Sequence, residues 1–311
     1  MFAIEQMSLC DYFTNLDLDL PTVGKHLVHS TITQGGYLLG AFTDRAAQHP
    51  VGIIAVRIAA SASVEYIFVA ESFRDQAIAT QLLKAATALV LSKDLDMIVA
   101  RVIPENPFGD ILEHLLLKTG FEQYSTATIS RFDNVTSIPA WNKFMEQRGN
   151  RICTGLINKG YETISFAEAN EEVLEKLKKA MIDSFPVNLN PFRLMAQREP
   201  KFVHDHSFIT LKDGEPAAFA TVTTIDGKSL SFQQLAAGYK YQGRGAFLLP
   251  LASFVAKCSA EQRYHLASTL VYNGNDRMKI LIDRFLQPLA TSAKIQNSYR
   301  KKLGEISKVK L

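Results

Sequence analysis

Cysteine and tryptophan are scarce in this chain of 311 residues, which has three cysteines and one tryptophan. Cys10, Cys153 and Cys258 lie far apart and form no Cys-x-x-Cys pair, so the sequence predicts neither a disulfide framework nor a metal site. Isolated cysteines of this kind usually stay reduced and pack as small hydrophobic residues. We therefore expect a cytoplasmic protein without a bound metal.

A long apolar run and a strong net charge are also missing. No segment reaches the roughly 20 apolar residues that a membrane-spanning helix needs, and residues 1–18 lack the basic start and apolar centre of a signal peptide. The formal net charge is only +3, and basic residues cluster only between Arg300 and Lys310, as in a solvated tail. These features predict a protein that binds neither membranes nor nucleic acid.

Apolar residues, in contrast, are abundant enough for two hydrophobic cores. Hydrophobic residues make up 47% of the chain and charged residues 21%, and the length fits two domains of ordinary size. Proline and glycine interrupt every periodic pattern between Asp133 and Gly160, which we interpret as the linker. The predicted domains are residues 1–145 and 146–311, and either a monomer or a homodimer fits the sequence.

The two halves repeat the same order of strand-like segments. Runs rich in β-branched and aromatic residues occupy residues 37–43, 51–58 and 64–69 in the first half and 207–211, 216–222 and 229–235 in the second. The pairs Asp213-Gly214 and Asp226-Gly227 are typical of tight hairpin turns. Each half is therefore predicted to contain an antiparallel meander, followed by a loop, a helix, another strand and a second helix.

The loop after the meander is similar in both halves. Aligned without gaps, Val69–Leu83 matches Leu235–Leu249, and Ala77 falls opposite Gly243. The amides of a first helical turn have no partner within the helix, and the helix dipole is positive there, so such a loop favours a phosphate. A Gly-x-Gly triplet alone also fits a plain turn, so this prediction depends on the repeat.

These loops, with the meanders that precede them, resemble the GNAT N-acetyltransferase superfamily in its tandem form. The family's loop pattern is Arg or Gln, two residues, Gly, one residue, then Gly or Ala. The matching residues are Arg74, Ala77 and Ala79 in the first half and Lys240, Gly243 and Gly245 in the second. Further along, Asn106 with Gly120-Phe121, and Asn273, Asn275 and Met278, resemble the family's asparagine-to-helix element.

The resemblance implies an α/β (α+β) fold with two tandem GNAT-like domains, each a mixed, mostly antiparallel sheet flanked by helices. It implies that acetyl-CoA, or another acyl-CoA, lies between splayed fourth and fifth strands, and that the amine of a small molecule attacks the thioester directly. The residues expected to contact acyl-CoA are Val69, Arg74, Gln76, Ala77 and Ala79 in the first half, and Leu235, Ala236, Lys240, Gln242, Gly243, Arg244, Gly245, Ala246 and Asn273 in the second.

Three residues are candidates for proton transfer. Glu65, on the strand before the first loop, is the candidate general base, although a surface glutamate would fit the same pattern. The gapless alignment places Ser231 at the corresponding position, and Tyr272 could protonate the leaving thiolate or simply pack in the strand. Because Ala77 replaces a glycine, we predict that the first half is structural and that the second half binds acyl-CoA.

Other functions also fit parts of the sequence. A non-catalytic acyl-CoA sensor or scaffold would explain the incomplete motifs. A transferase that uses aminoacyl-tRNA would need a basic groove, which the near-neutral charge argues against. A dinucleotide-binding domain is excluded, because antiparallel meanders precede both loops.

Overall fold

The computed structural model describes residues 2–8, 18, 20–43, 49–59, 61–197 and 200–304. These form two compact units. Unit 1 contains the described residues up to Ala127 and those from Ile295 onward, and unit 2 is Thr128–Lys294. The division thus differs from the predicted boundary at residue 145, because the last strand of the chain belongs to unit 1. Cys10 and the end of the basic tail lie outside the described residues.

Both units contain strands and helices. The strands are β1 (Ala3–Met7), β2 (Tyr37–Phe42), β3 (Gly52–Ile58), β4 (Ala62–Val69), β5 (Met97–Val102), β6 (Glu122–Asp133), β7 (Tyr161–Ser165), β8 (Lys201–Phe202), β9 (Phe208–Lys212), β10 (Glu215–Thr224), β11 (Ser229–Ala237), β12 (Leu266–Tyr272) and β13 (Ser292–Lys302). The helices are α1 (Thr22–Thr33), α2 (Ile78–Leu91), α3 (Gly109–Lys118), α4 (Ser137–Phe144), α5 (Asn150–Ile157), α6 (Glu171–Asp183), α7 (Pro191–Met195), α8 (Leu248–Glu261) and α9 (Asp276–Leu281).

Unit 1 has a mixed sheet in the order β1-β2-β3-β4-β5-β13. The meander β2-β3-β4 is antiparallel, as predicted, β4 and β5 are parallel, and β13 pairs with β5 in antiparallel orientation. Helix α2 packs on this sheet through one apolar face. The buried residues of that face recur at helical spacing: Ile78, Leu82, Leu83, Ala86 and Val90.

Unit 2 repeats this arrangement, with strand order β12-β11-β10-β9-β7 and β8 paired to β10. Its meander β9-β10-β11 is antiparallel and β11 and β12 are parallel, so the predicted fold class is confirmed. In the sequence, Asn170 followed by two glutamates is typical of a helix start, and α6 does begin there: Asn170 Oδ1 accepts a hydrogen bond of 3.0 Å from the Val173 amide.

The segment that we interpreted as an irregular linker is helical. Helix α4, a wide turn over Met145–Gly149 and helix α5 follow one another without a break. The glycine at position 149 is explained by packing, since a Cβ atom there would collide with the Met145 side chain. Gly149 therefore does not mark a break in the chain of helices, contrary to our interpretation of the sequence.

Candidate functional site

Two parallel strands separate in the middle of unit 1. Strands β4 and β5 are paired only from Ala62–Val64 to Ile98–Ala100. Both continue beyond these pairs, to Val69 and Val102, without further pairing to each other in the described structure. The strands therefore form a fork whose open end leads to the loop before α2.

The same fork is present in unit 2. Strands β11 and β12 pair over Ser229–Phe232 and Leu266–Thr269 and then continue separately to Ala237 and Tyr272. The open end again leads to the loop before a helix, here α8. The splayed strands that the resemblance implies are thus present in both units.

A β-bulge stands at the start of each fork. In unit 1, Ala55 pairs with Tyr66 and Val56 with Val64, so Glu65 is the extra residue. In unit 2, the pairs of Thr221 with Gln234 and of Val222 with Phe232 leave Gln233 as the extra residue. Glu65 and Gln233 are therefore equivalent positions in the two units. A bulge changes the direction in which its extra residue points.

Glu65 is held by two neighbours in unit 1. Arg57 Nη2 donates to its Oε1 atom at 2.7 Å, and the hydroxyl of Ser63 donates to the same atom. The Glu65 side chain is 17% exposed and that of Arg57 is 41% exposed, so the ion pair is partly accessible to solvent. Glu65 therefore lies on the strand before the loop, as the sequence predicts, but a cation already partners its carboxylate.

Unit 2 replaces this ion pair by neutral hydrogen bonds. Gln233 Nε2 donates to Ser231 Oγ and to Thr223 Oγ1, at 3.0 Å each. Thr223 faces Ser231 across the strands as Arg57 faces Ser63 in unit 1. The alignment of Ser231 with Glu65 was therefore wrong. Ser231 is equivalent to Ser63, and a comparison of Ser-x-Glu with Ser-x-Gln would have identified Gln233.

The loops have the same backbone path, but not in the predicted register. Each begins with a short 3-10 turn, Glu71–Phe73 or Tyr239–Tyr241, and continues with an extended residue. Positive φ angles follow at two places in each loop: 62° at Asp75 and 59° at Ala77, and 72° at Gly243 and 79° at Gly245. The backbone therefore pairs Ala77 with Gly245, and the gapless alignment was wrong by two residues.

Side chains agree with this corrected register. Arg74 Nε donates to the carbonyl of Val69 at 3.3 Å, and Gln242 Nε2 donates to the carbonyl of Ala237 at 3.3 Å. Gln242 therefore holds the Arg-or-Gln position of the family pattern, which we had assigned to Lys240. Lys240 is exposed in the 3-10 turn, with Nζ 5.7 Å from the centre of the Tyr241 ring.

Pro250 explains why the alignment failed. It has no N–H group, and its ring would collide with the carbonyl of Ala246 if α8 began as early as α2 does. Helix α8 therefore begins at Leu248, and Leu248-Leu249 only appear to match Leu82-Leu83. The buried positions that do correspond to Leu83, Ala86 and Val90 are Leu251, Phe254 and Cys258.

Backbone donors line both loops. Among the described residues, the amides of Asp75, Ala77, Gly243 and Gly245 donate to no other backbone carbonyl. A Cβ atom at Gly243 would have no neighbour within 4 Å, so a ligand could lie directly against this backbone. The unit 2 loop thus fits a phosphate group. In unit 1, Asp75 is the equivalent of Gly243, and Ala77 takes the place of Gly245 in a left-handed conformation that costs about 1–2 kcal/mol.

The backbone also shows which asparagine after the unit 2 fork corresponds to Asn106 of unit 1. The Asn106 amide donates to the Ile103 carbonyl at 3.0 Å, and the Asn275 amide donates to the Tyr272 carbonyl at 3.0 Å. Asn275, not Asn273, is therefore the counterpart of Asn106. Tyr272 ends β12 with 46% of its surface exposed, at the rim of the fork.

A buried histidine in unit 2 lies between two carboxylates. His206 is fully buried, with Nδ1 at 3.1 Å from Asp205 and Nε2 at 3.6 Å from Glu261. The spacing of these three groups would suit a metal ion, although no metal site was predicted. However, Lys257 Nζ contacts Glu261 at 2.6 Å, so an ammonium group already neutralises part of the cluster. The triplet His204-Asp205-His206 is contiguous in the sequence, whereas Glu261 lies far away at the end of α8.

The two described cysteines are not nucleophiles. Cys153 and Cys258 are free and buried. Burial raises the pKa of both thiols, that of Cys258 to about 12. Both therefore remain protonated at neutral pH.

Comparison with known proteins agrees with these forks and loops. Residues 5–108 match the acetyltransferase (GNAT) family. A tandem GNAT protein from the clavulanic acid biosynthesis pathway is similar in structure, with a TM-score of 0.59, 14% identity and coverage of 98% of this chain and 99% of its own. The chain has the tandem GNAT fold. A search of curated proteins found no match.

Other solved structures of this tandem GNAT fold cover almost the same length. A GCN5-related N-acetyltransferase from Sphaerobacter thermophilus is 12% identical, with a TM-score of 0.63 and coverage of 97% of this chain and 95% of its own. One from Kribbella flavida is 16% identical, with a TM-score of 0.52 and coverage of 91% and 97%. At these identities the likeness concerns the fold alone. In the part of the chain that the structure describes, every helix is too short or too polar to cross a membrane.

Proposed function

We propose that this tandem GNAT protein is an acyl-CoA-dependent N-acetyltransferase that moves an acetyl group to the amine of a small molecule by direct attack. The observation that supports this function is the continuous path from a bulge, through a fork, to a loop of backbone donors. The path occurs in both units and would accept a long, phosphate-bearing molecule. Acyl-CoA is such a molecule, with a phosphate end and a thioester at the other end of an extended arm.

Unit 2 is the proposed site of acyl-CoA binding. Both of its positive-φ positions, Gly243 and Gly245, are glycines, whereas Asp75 and Ala77 occupy them in unit 1. Gln242 positions the loop and leaves Lys240 exposed to add positive charge. The remaining proposed contacts are Leu235, Ala236, Arg244 and Ala246, with Asn275 in addition to Asn273.

The proposed reaction needs little covalent machinery. The amine nitrogen attacks the thioester carbon, the carbon–sulfur bond breaks, the amine loses a proton and the thiolate gains one. Holding the two reactants in contact supplies much of the rate, and a backbone amide of β11 beyond the bulge would stabilise the developing oxyanion. Ser231 accepts a hydrogen bond from Gln233, so its own O–H group can donate to the acceptor or to a water molecule. Tyr272 is the proposed acid for the thiolate.

A non-catalytic acyl-CoA sensor is the second candidate. It is favoured by one observation, namely that neither fork contains an unpartnered carboxylate at the bulge. Glu65 is bound to Arg57, and the equivalent residue in unit 2 is Gln233, which cannot accept a proton. Glu65 remains the candidate base for any transfer in unit 1.

The test is a calorimetric titration of the whole protein with acetyl-CoA, compared between two matched variants. Gly243→Trp fills the open space at the unit 2 loop, and Asp75→Trp introduces the same side chain at the equivalent place in unit 1. We expect Gly243→Trp to abolish binding and Asp75→Trp to leave it unchanged. The reverse result would place acyl-CoA in unit 1, and no binding by the wild type would refute the proposed function. Binding without transfer to any amine in a screen would favour the sensor.

A further inference from the structure

An apolar cavity of about 80 Å³ lies inside unit 2. Its walls are formed by the paired segments of β11 and β12, by α8 and by α4. The side chains that define it are Leu230, Phe232, Leu251, Phe254, Ala267 and Trp141. Hydrocarbon therefore surrounds almost the whole cavity.

The cavity begins at the closed end of the unit 2 fork. Phe232 and Thr269 are the last residues of β11 and β12 that pair, and both line the cavity. Leu230 and Ala267, which pair two residues earlier, also line it. A linear molecule that runs down the fork toward the bulge therefore meets the cavity at the point where the strands come together.

Polar groups at the rim already have partners within the protein. Asn134 Nδ2 donates to the Tyr264 carbonyl at 2.7 Å. Asp133 accepts hydrogen bonds from the Thr136 amide at 2.6 Å and from Thr291 Oγ1 at 2.9 Å. A polar ligand would lose its bonds to water here and find these groups engaged, whereas a hydrocarbon would only gain from burial.

We propose that this cavity binds the hydrocarbon tail of an acyl group longer than acetyl, so that the acyl donor is a short- to medium-chain acyl-CoA. The inference rests on the proposed acyl transfer and replaces the acetyl group by a longer acyl group. The volume of the cavity limits the length of the acyl chain. A cavity of about 150 Å³ holds a benzene molecule. The cavity in unit 2 therefore has room for about three carbon atoms beyond the acetyl group, as in pentanoyl-CoA.

The experiment is a calorimetric titration of the whole protein with acetyl-, butyryl-, pentanoyl- and dodecanoyl-CoA. Each buried methylene group is expected to strengthen binding about fourfold, which corresponds to about 0.8 kcal/mol. The gain should end near pentanoyl-CoA, because the cavity is then full. In the Ala267→Leu variant, whose larger side chain occupies the cavity, binding of acetyl-CoA should be unchanged and the dependence on chain length should disappear.

The control variant is Ala256→Leu, which makes the same chemical change at an exposed position of α8 outside the cavity lining and should keep the dependence on chain length. Circular dichroism and thermal unfolding would show that both variants are folded. Equal affinity of the wild type for all four acyl-CoAs would overturn the inference and leave the proposed function standing. An unchanged dependence on chain length in Ala267→Leu would overturn the location of the tail. Failure of all four to bind would instead refute the proposed function.

Discussion

Replacement of Ala77 by glycine should make unit 1 more stable. Ala77 has φ 59° and ψ 17°, in the left-handed region where a Cβ atom costs about 1–2 kcal/mol. Its side chain is exposed, so the lost methyl group removes little packing. Glycine makes the unfolded chain more flexible, which offsets about 0.4–1 kcal/mol of that gain. The expected net increase in the free energy of unfolding is about 1 kcal/mol.

The control is Ala88→Gly, in the helix that follows Ala77. Ala88 is exposed in the interior of α2, where glycine is about 1 kcal/mol less favourable than alanine. The same chemical change should therefore have the opposite sign at the two positions. Urea denaturation monitored by circular dichroism measures the free energy of unfolding of both variants. In thermal unfolding of a unit of this size, the midpoint temperature should shift by about 2–4 °C, upward for Ala77→Gly and downward for Ala88→Gly. Destabilisation of both variants would refute the left-handed conformation of Ala77, and with it the corrected loop register.

Three further predictions concern single side chains. Glu65→Gln leaves Arg57 without its anion, so the free energy of unfolding should fall by up to about 1 kcal/mol in urea denaturation. If the variant also transfers the acyl group about 100-fold or more slowly, Glu65 is the catalytic base. Native protein should not react with iodoacetamide at Cys258 at neutral pH, because burial raises its pKa to about 12, and mass spectrometry of native and unfolded samples checks this. The backbone hydrogen bond from Thr136 lowers the pKa of Asp133 in the folded protein. The ionised Asp133 carboxylate therefore stabilises the fold fully above its ordinary pKa of 3.8, and this stabilisation is lost as the pH falls through the lower pKa of the folded state. The difference in melting temperature between wild type and Asp133→Asn should therefore shrink below pH 3.8.

Local patterns were sufficient to predict the meanders and the start of α6. Hairpin turns and a helix cap depend on neighbouring residues, and Asn170 caps α6 as its sequence context indicates. The fold class followed from the order of these elements in each half. The family resemblance added the fork, which no periodicity in the sequence could have shown.

Features that depend on distant contacts were missed. Strand β13 completes the sheet of unit 1 by pairing with β5, far away in the sequence, so the boundary at residue 145 was only an approximation. The register of the second loop depends on where α8 can begin, and Pro250 decides this through its missing N–H group. The matching Leu-Leu pairs concealed the shift. Similarly, Glu261 approaches His206 only because α8 folds back over β9.

Each unit contains a different part of the proposed acyl-transfer site. Unit 1 keeps a carboxylate at its bulge but pairs it with Arg57, and its loop lacks glycine at the two left-handed positions. Unit 2 has the glycines, but Gln233 replaces the carboxylate and Thr223 replaces the arginine. The exchange of an ion pair for a neutral pair preserves hydrogen bonding at both bulges, so it affects chemistry more than folding.

The variant Gln233→Glu tests this division. Ser231 and Thr223 now accept hydrogen bonds from Gln233 Nε2, and because both are hydroxyls they could donate to a carboxylate instead. The new carboxylate would have no arginine partner, unlike Glu65, and would be available as a base. A well-placed general base contributes about 10²–10⁴-fold to a rate. We therefore expect faster acyl transfer at constant acyl-CoA affinity, and Gln233→Leu, which keeps the size but no polar group, should show no increase. If acyl-CoA still binds but Gln233→Glu transfers no faster than the wild type, the acceptor amine does not lie at this bulge, and unit 2 would be a binding domain without catalysis.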